Sequence, residues 1–319
     1  MILGLVVANC FNPISFLIIC LTLLSRLNNI ITESCDDRFN TEIKGKCSCF
    51  NVLDDHGDVL GLGVECSETT GSDLHRDIDE IHFESSTPIV HLKVRDSNLK
   101  DMTDLPSGLV DIRWLVLDNT SIDLHVIRES AEILGNLDSL KLFNENYTLV
   151  PENVFHDGMN GLQTLWLNDI GIYSISRAAF HHLDDSLVEL SLRENKLRSI
   201  PLAIIALMKI EILDLTDNEI QSVSEGLAND LSRSLHRVRK IMLNKINCTC
   251  NFAKSRFARW IRENAIKGVE CGYPIRFKDH DVWSTPSEEF CSSGSSSVIN
   301  LPLITLISSL LVIKLLFFT

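Results

Sequence analysis

Basic residues are in short supply. Lys and Arg number 29 against 43 Asp and Glu, giving a net charge of −14 and an isoelectric point near 5.1. Nucleic-acid binders present excess positive charge to phosphates, so no nucleic-acid partner is expected. The motifs of common catalytic sites are missing too. No Gly-x-Ser-x-Gly, phosphate loop, HExxH or dinucleotide fingerprint occurs, so no catalytic, cofactor-binding or metal-ligating residue is assigned. Charged residues, at 23%, are too few for wholesale disorder, and 45% apolar residues suffice for a sizeable core.

No Lys or Arg precedes the first apolar run, Ile14 to Leu24, and no small-x-small cleavage site stands out between Ser25 and Ser34. The run has the length of a signal-peptide core and is too short to span a bilayer comfortably. Residues 1–34 are therefore expected to form a signal peptide that takes Cys10 and Cys20 with it. Residues 301–319 are apolar except for Ser308, Ser309 and Lys314, and no basic cluster follows them. A Ser/Gly-rich spacer, 292–300, stands before this run. Small residues at Ser292, Ser293, Gly294 and Ser295, a polar spacer and an apolar tail make a signal for GPI attachment. The alternative is a single transmembrane helix with Lys314 snorkelling toward an interface. Both readings place the folded part on the extracellular side of the plasma membrane, with a secreted form as a further expectation.

Eight cysteines remain, in two groups of four: Cys35, Cys47, Cys49 and Cys66, then Cys248, Cys250, Cys271 and Cys291. Export favours disulfides over zinc sites, because oxidised cysteine persists outside the cell. Four cysteines allow three pairings per group, and spacing alone does not choose among them.

Between the groups an apolar-x-x-apolar-x-apolar pattern recurs. It reads Ile89-Leu92-Val94, Ile112-Leu115-Leu117, Leu137-Leu140-Leu142, Leu162-Leu165-Leu167, Leu187-Leu190-Leu192, Ile210-Leu213-Leu215 and Val238-Ile241-Leu243. Successive starts differ by 23, 25, 25, 25, 23 and 28 residues, the period of leucine-rich repeats. Phe155 and Phe180 share a phase within the unit, as do Pro151 and Pro201. The pattern predicts an α/β solenoid: a leucine-rich-repeat horseshoe with a parallel concave sheet over 89–246 and cysteine-rich caps at 35–88 and 247–291. Asn195 and Asn218 hold the polar slot that bonds turn backbones between coils. Ser97 and Thr120 are partial substitutes, whereas Glu145, Ile170 and Ile246 are not equivalent, which predicts less regular early coils.

The chain resembles extracellular leucine-rich-repeat proteins capped by cysteines at both ends, such as the Nogo receptor and Slit groups. The C-terminal motif carries the likeness: Cys248-Thr-Cys250, Phe257, Trp260-Ile261, Asn264, Cys271 and Cys291. The resemblance implies Cys248–Cys271 and Cys250–Cys291, and by the same pattern Cys35–Cys49 and Cys47–Cys66. The layout is also similar to the non-catalytic leucine-rich subunit of oplophorus-luciferin 2-monooxygenase and its arthropod relatives. That likeness implies an alternative role as the secreted accessory subunit of an extracellular enzyme. Phe257, Trp260 and Ile261 have i, i+3, i+4 spacing, so a short helix is expected to close the last coil at Leu243 and Ile246.

The remaining candidates concern binding. His181-His182 follows Phe180 as His156 follows Phe155, so a recurring slot of the coil accounts for them better than a metal. Residues alternating with the leucines face the concave side. Trp114, Val116, Phe143 and Trp166 fall on three successive strands there, a candidate hot spot for an extracellular protein ligand unless a loop or second chain covers it. Sequons stand at Asn119, Asn146 and Asn247. Charge is uneven: residues 35–105 hold 16 acidic and 7 basic side chains, residues 233–278 hold 12 basic and 2 acidic. The basic C-terminal cap is a candidate contact for sulfated polysaccharide or anionic lipid headgroups, or else a solvated face carrying Lys254, Arg256, Arg259 and Arg262.

Overall fold

A computed structural model describes residues 46–85, 87–155 and 157–292. The segment expected to be a signal peptide, Cys35, His156, Ser293, Gly294, Ser295 and the apolar tail lie outside the described residues. All seven repeat motifs form strands: β3 (Ile89–Arg95), β4 (Trp114–Asp118), β5 (Ser139–Phe143), β7 (Thr164–Asn168), β9 (Glu189–Ser191), β10 (Ile212–Asp214) and β11 (Lys240–Asn247). Two short strands on the return side, β6 (Leu149–Val150) and β8 (Ser174–Ile175), pair only with each other.

Each repeat strand pairs in parallel with the next, and the register is set by side-chain identity. Leu92, Leu115, Leu140, Leu165, Leu190, Leu213 and Ile241 stand directly opposite one another across the sheet. None of the seven is exposed. A slip of one residue would turn this whole ladder to solvent, so the leucines fix the pairing as well as fill the core. Short 3-10 turns such as Ser107–Leu109, Asp157–Met159 and His181–Leu183 return the chain beneath the sheet. Phe155 and Phe180, both fully buried, pack there with ring centroids 6.0 Å apart.

The parallel sheet runs past both ends of the repeat array. At the front, β1 (Cys47–Leu53) and β2 (Val59–Ser67) form an antiparallel hairpin, and β2 then pairs in parallel with β3. The helix Gly71–Glu84, capped by Thr70, buries Leu74, Ile78 and Ile81 on one face beneath it. At the back, β12 (Lys267–Tyr273) adds to β11 and completes ten strands. The helix Arg256–Glu263, capped by Ser255, buries Phe257, Trp260 and Ile261. Disulfides join Cys47 to Cys66, Cys248 to Cys271 and Cys250 to Cys291, and Cys49 is disulfide-bonded as well.

The polar slots follow the sequence expectation of less regular early coils: Asn195 and Asn218 each bridge backbone groups of neighbouring coils, whereas Ser97 and Glu145 make fewer bonds. A residue at the end of each strand enters the left-handed region in six successive coils: Asp96, Asn119, Asn144 and Asp169 directly after their strands, Glu194 and Asp217 three residues after theirs, with φ between 48° and 58°. Asn and Asp tolerate this region because their short side chains bond locally. In the polar slot that follows, Asn195 accepts from Ile170 and Ile172 and donates to Leu167, Leu192 and Arg193. Glu145 fills the same slot with half of that chemistry. Its Oε1 accepts from the Thr120 amide at 2.8 Å and the Thr120 hydroxyl at 2.7 Å.

Burial pushes the Glu145 carboxyl above its ordinary value, and the Thr120 bonds only partly oppose this. A raised carboxyl pKa in the folded state favours folding in acid. That advantage is lost as pH rises through the ordinary carboxylate range toward the raised value. Glu145→Gln keeps an acceptor, adds an amide donor and removes the charge. The variant should match the wild type in acid and exceed it in denaturation midpoint at about pH 8. Equal midpoints at both pH values would reject this account.

Candidate functional site

The candidate surface is the concave face, where alternate residues of β3 to β10 point away from the leucines. The cross-strand register builds three ladders on it. The central one runs Lys93, Val116, Lys141, Trp166 and Ser191. One flank runs Arg95, Asp118, Phe143 and Asn168, the other His91, Trp114, Ser139, Thr164 and Glu189. Trp114, Val116, Phe143 and Trp166 are all half-buried.

Only two of these four form a ring pair. Phe143 and Trp166 sit diagonally across neighbouring strands and meet edge to face, at 6.0 Å and 86°. Such diagonals are within reach of aromatic side chains. Lys141 lies directly opposite Trp166 and places its Nζ 3.7 Å from the ring centroid. On the third side the indole N–H donates to Glu189 at 2.9 Å. The indole is therefore held by a cation on its face, an acceptor at its edge and a ring beside it. Trp114 is on the opposite flank from Phe143 and makes no ring contact among the described residues. The four residues share a face but not one cluster, and Lys141 covers part of the apolar area that the ladder alone would offer.

Toward β1 the face becomes cationic. A pocket of about 190 Å³ is lined by Lys46, Ser48, Glu65, Ser67, Lys93 and Arg95, beside the Cys47–Cys66 disulfide. Lys93 pairs with Glu65 at 3.7 Å, and Lys46 donates to the Glu68 carbonyl. Next to it, His91 packs edge-on against Phe50 at 5.9 Å, and its Nε2 is buried without a hydrogen-bond partner among the described residues. Burial holds the His91 pKa below the ordinary histidine value, more strongly than Glu65 raises it.

The three sequons lie at the C-terminal ends of concave strands, along one rim. Asn119 is the left-handed residue after β4 and donates to Asp96 at 3.0 Å; Asn146 follows β5, and Asn247 ends β11. All three are exposed. His182 pairs with Asp157, and its ring stacks on His181 at 5.1 Å. In the C-terminal cap, Arg262 departs from a solvated cationic face. It is half-buried, donates to Thr285 and Ala253 carbonyls, and leaves Nη2 without a partner among the described residues. Burial lowers the Arg262 pKa.

The fold is a leucine-rich-repeat solenoid. No protein-family model and no curated protein matches the chain. Among solved structures, human 5T4, also called trophoblast glycoprotein, is 21% identical. That match covers 63% of this chain and 78% of that one, with a TM-score of 0.43. A leucine-rich-repeat protein of Leptospira interrogans is 17% identical over 65% of this chain and 47% of its own, also with a TM-score of 0.43.

Proposed function

We propose that this solenoid is an extracellular, non-catalytic recognition protein that binds a protein ligand on its concave face. The observation that carries the reading is the Phe143–Trp166 pair, fixed by Lys141 and Glu189 on a half-exposed sheet face. Aromatics that are rigid before contact lose little conformational entropy on binding and are frequent anchors of protein interfaces. The disulfides at both ends suit an oxidising compartment. Glycans on Asn119, Asn146 and Asn247 would leave one rim and the concave face open.

Attachment to the cell surface is part of the same proposal. Ser292 is exposed just beyond the Cys250–Cys291 disulfide, and Ser293, Gly294 and Ser295 continue the small-residue cluster before the apolar run. Lipid attachment there would remove everything downstream. An epitope fused after Thr319 should be absent from mature surface protein. Its detection at the surface would favour a transmembrane helix over the lipid anchor.

The binding test is truncation of the aromatic pair. Trp166→Ala or Phe143→Ala should weaken capture of a surface partner, identified by cell-surface cross-linking, by about 2 kcal/mol, roughly thirtyfold. Secretion should stay near wild type, because both side chains face away from the leucine core. Poor secretion of these variants would make the pair structural cover instead.

A further inference from the structure

We propose that the ligand segment gripped by the concave face is an extended acidic peptide, with a carboxylate seated among Lys46, Lys93 and Arg95 and an apolar side chain on the Val116–Trp166 ladder. This deepens the recognition reading above and rests on it. Three cations and two hydroxyls, Ser48 and Ser67, line the pocket, and its one carboxylate, Glu65, is already paired with Lys93. Arg95 is exposed and has no carboxylate partner among the described residues. Its guanidinium offers the planar fork that suits a carboxylate.

Spacing follows from the register. Lys93 and Trp166 share one ladder and are three strands apart, about 14 Å at ordinary strand separation. An extended peptide laid across the strands covers that distance in about four residues. The acid and the apolar anchor of the ligand should therefore be about four positions apart.

Charge further along the face selects a peptide over a polyanion. Beyond Trp166 the face carries Glu189, opposite Thr164, and then Asp214, opposite Ser191. A sulfated polysaccharide, uniformly anionic, would be repelled there as it continued past the pocket. A flat bilayer has no access to residues lining a concave sheet. A peptide carrying charge at one end and apolar surface at the other meets both halves of the site.

The test is selection of a phage-displayed random peptide library on the full chain purified from cells. Enriched peptides should carry Asp or Glu about four residues from Trp, Phe, Leu or Ile. Affinity for a selected synthetic peptide should fall about tenfold in Arg95→Glu, less in Arg95→Gln, and should weaken as salt is raised. Secreted yield of both variants checks the fold, which an exposed side chain should leave intact. Enriched peptides without acidic residues would overturn the proposal. So would binding that Trp166→Ala abolishes but neither Arg95 variant changes, an outcome that leaves concave-face recognition standing. Binding indifferent to Arg95 and to Trp166 would overturn both. Arg95-dependent retention on heparin or phosphatidylserine vesicles, with no peptide enriched, would replace the peptide by those ligands.

Discussion

Leu140→Ala is expected to cost about 2–5 kcal/mol of stability and to remove most of the protein from the secretory route. Leu140 is fully buried and stands between Leu115 and Leu165 in the central leucine ladder. Its loss leaves a cavity that cannot close, because the coils on both sides are held by their own leucines. In a solenoid each coil is stabilised mainly by its neighbours, so a weakened middle coil uncouples the two ends of the array. The contrast is Trp166→Ala, on the adjacent strand but on the opposite face of the sheet. Secreted yield and urea midpoint should separate the two variants. A Leu140→Ala protein secreted and melting like wild type would refute the packing account.

The repeat strands were legible because each repeat places two apolar residues at one alternation phase, within or directly after its strand, at a nearly fixed period. The outer strands were not, for a physical reason. In β2 the core positions are held by Val64 and Cys66, opposite Leu92 and Val94, so a disulfide cysteine replaces a leucine. Its glycines also hide the pattern. A Cβ on Gly63 would come within 2.3 Å of the Phe50 ring, and one on Gly61 within 2.5 Å of Val90. These glycines are there because the hairpin and β3 approach closely, which no period reveals. In β12 a cysteine again takes a core position, Cys271, opposite Ile246.

The concave face was legible as ladders but not as a site. Alternation places Trp114, Phe143 and Trp166 on one face, yet contact depends on which residues are diagonal neighbours, and that needs the register. Trp114 and Phe143 are on opposite flanks, whereas Phe143 and Trp166 touch. The cationic pocket had no sequence signal at all. Lys46 reaches it through an antiparallel hairpin that precedes the first repeat, 47 residues before Lys93. The Glu145 slot shows the converse: a residue that breaks the asparagine pattern still supplies its acceptor half.

Removing the Cys248–Cys271 bridge by a double Cys→Ser replacement should lower stability by about 3 kcal/mol, the chain-entropy value for a loop of this length. The sequence separation is 23 residues, and both sulfurs are fully buried. The bridge ties the end of β11 to β12, the outermost strand of the sheet. Phe257, Trp260 and Ile261 of the adjoining helix are buried in the same core as Ile246. Without the bridge, an edge strand and its helix are held by packing and hydrogen bonds alone, and fraying there exposes the apolar end of the solenoid. Loss should therefore be local first: amide exchange in β12 and Arg256–Glu263 should rise more than in β4 or β5. The corresponding change at Cys47 and Cys66 should loosen β1 and β2 instead, leaving β12 protected. If removal of Cys248–Cys271 raised exchange evenly across all coils, the cap would not be a separable end unit. The whole horseshoe would then unfold as one.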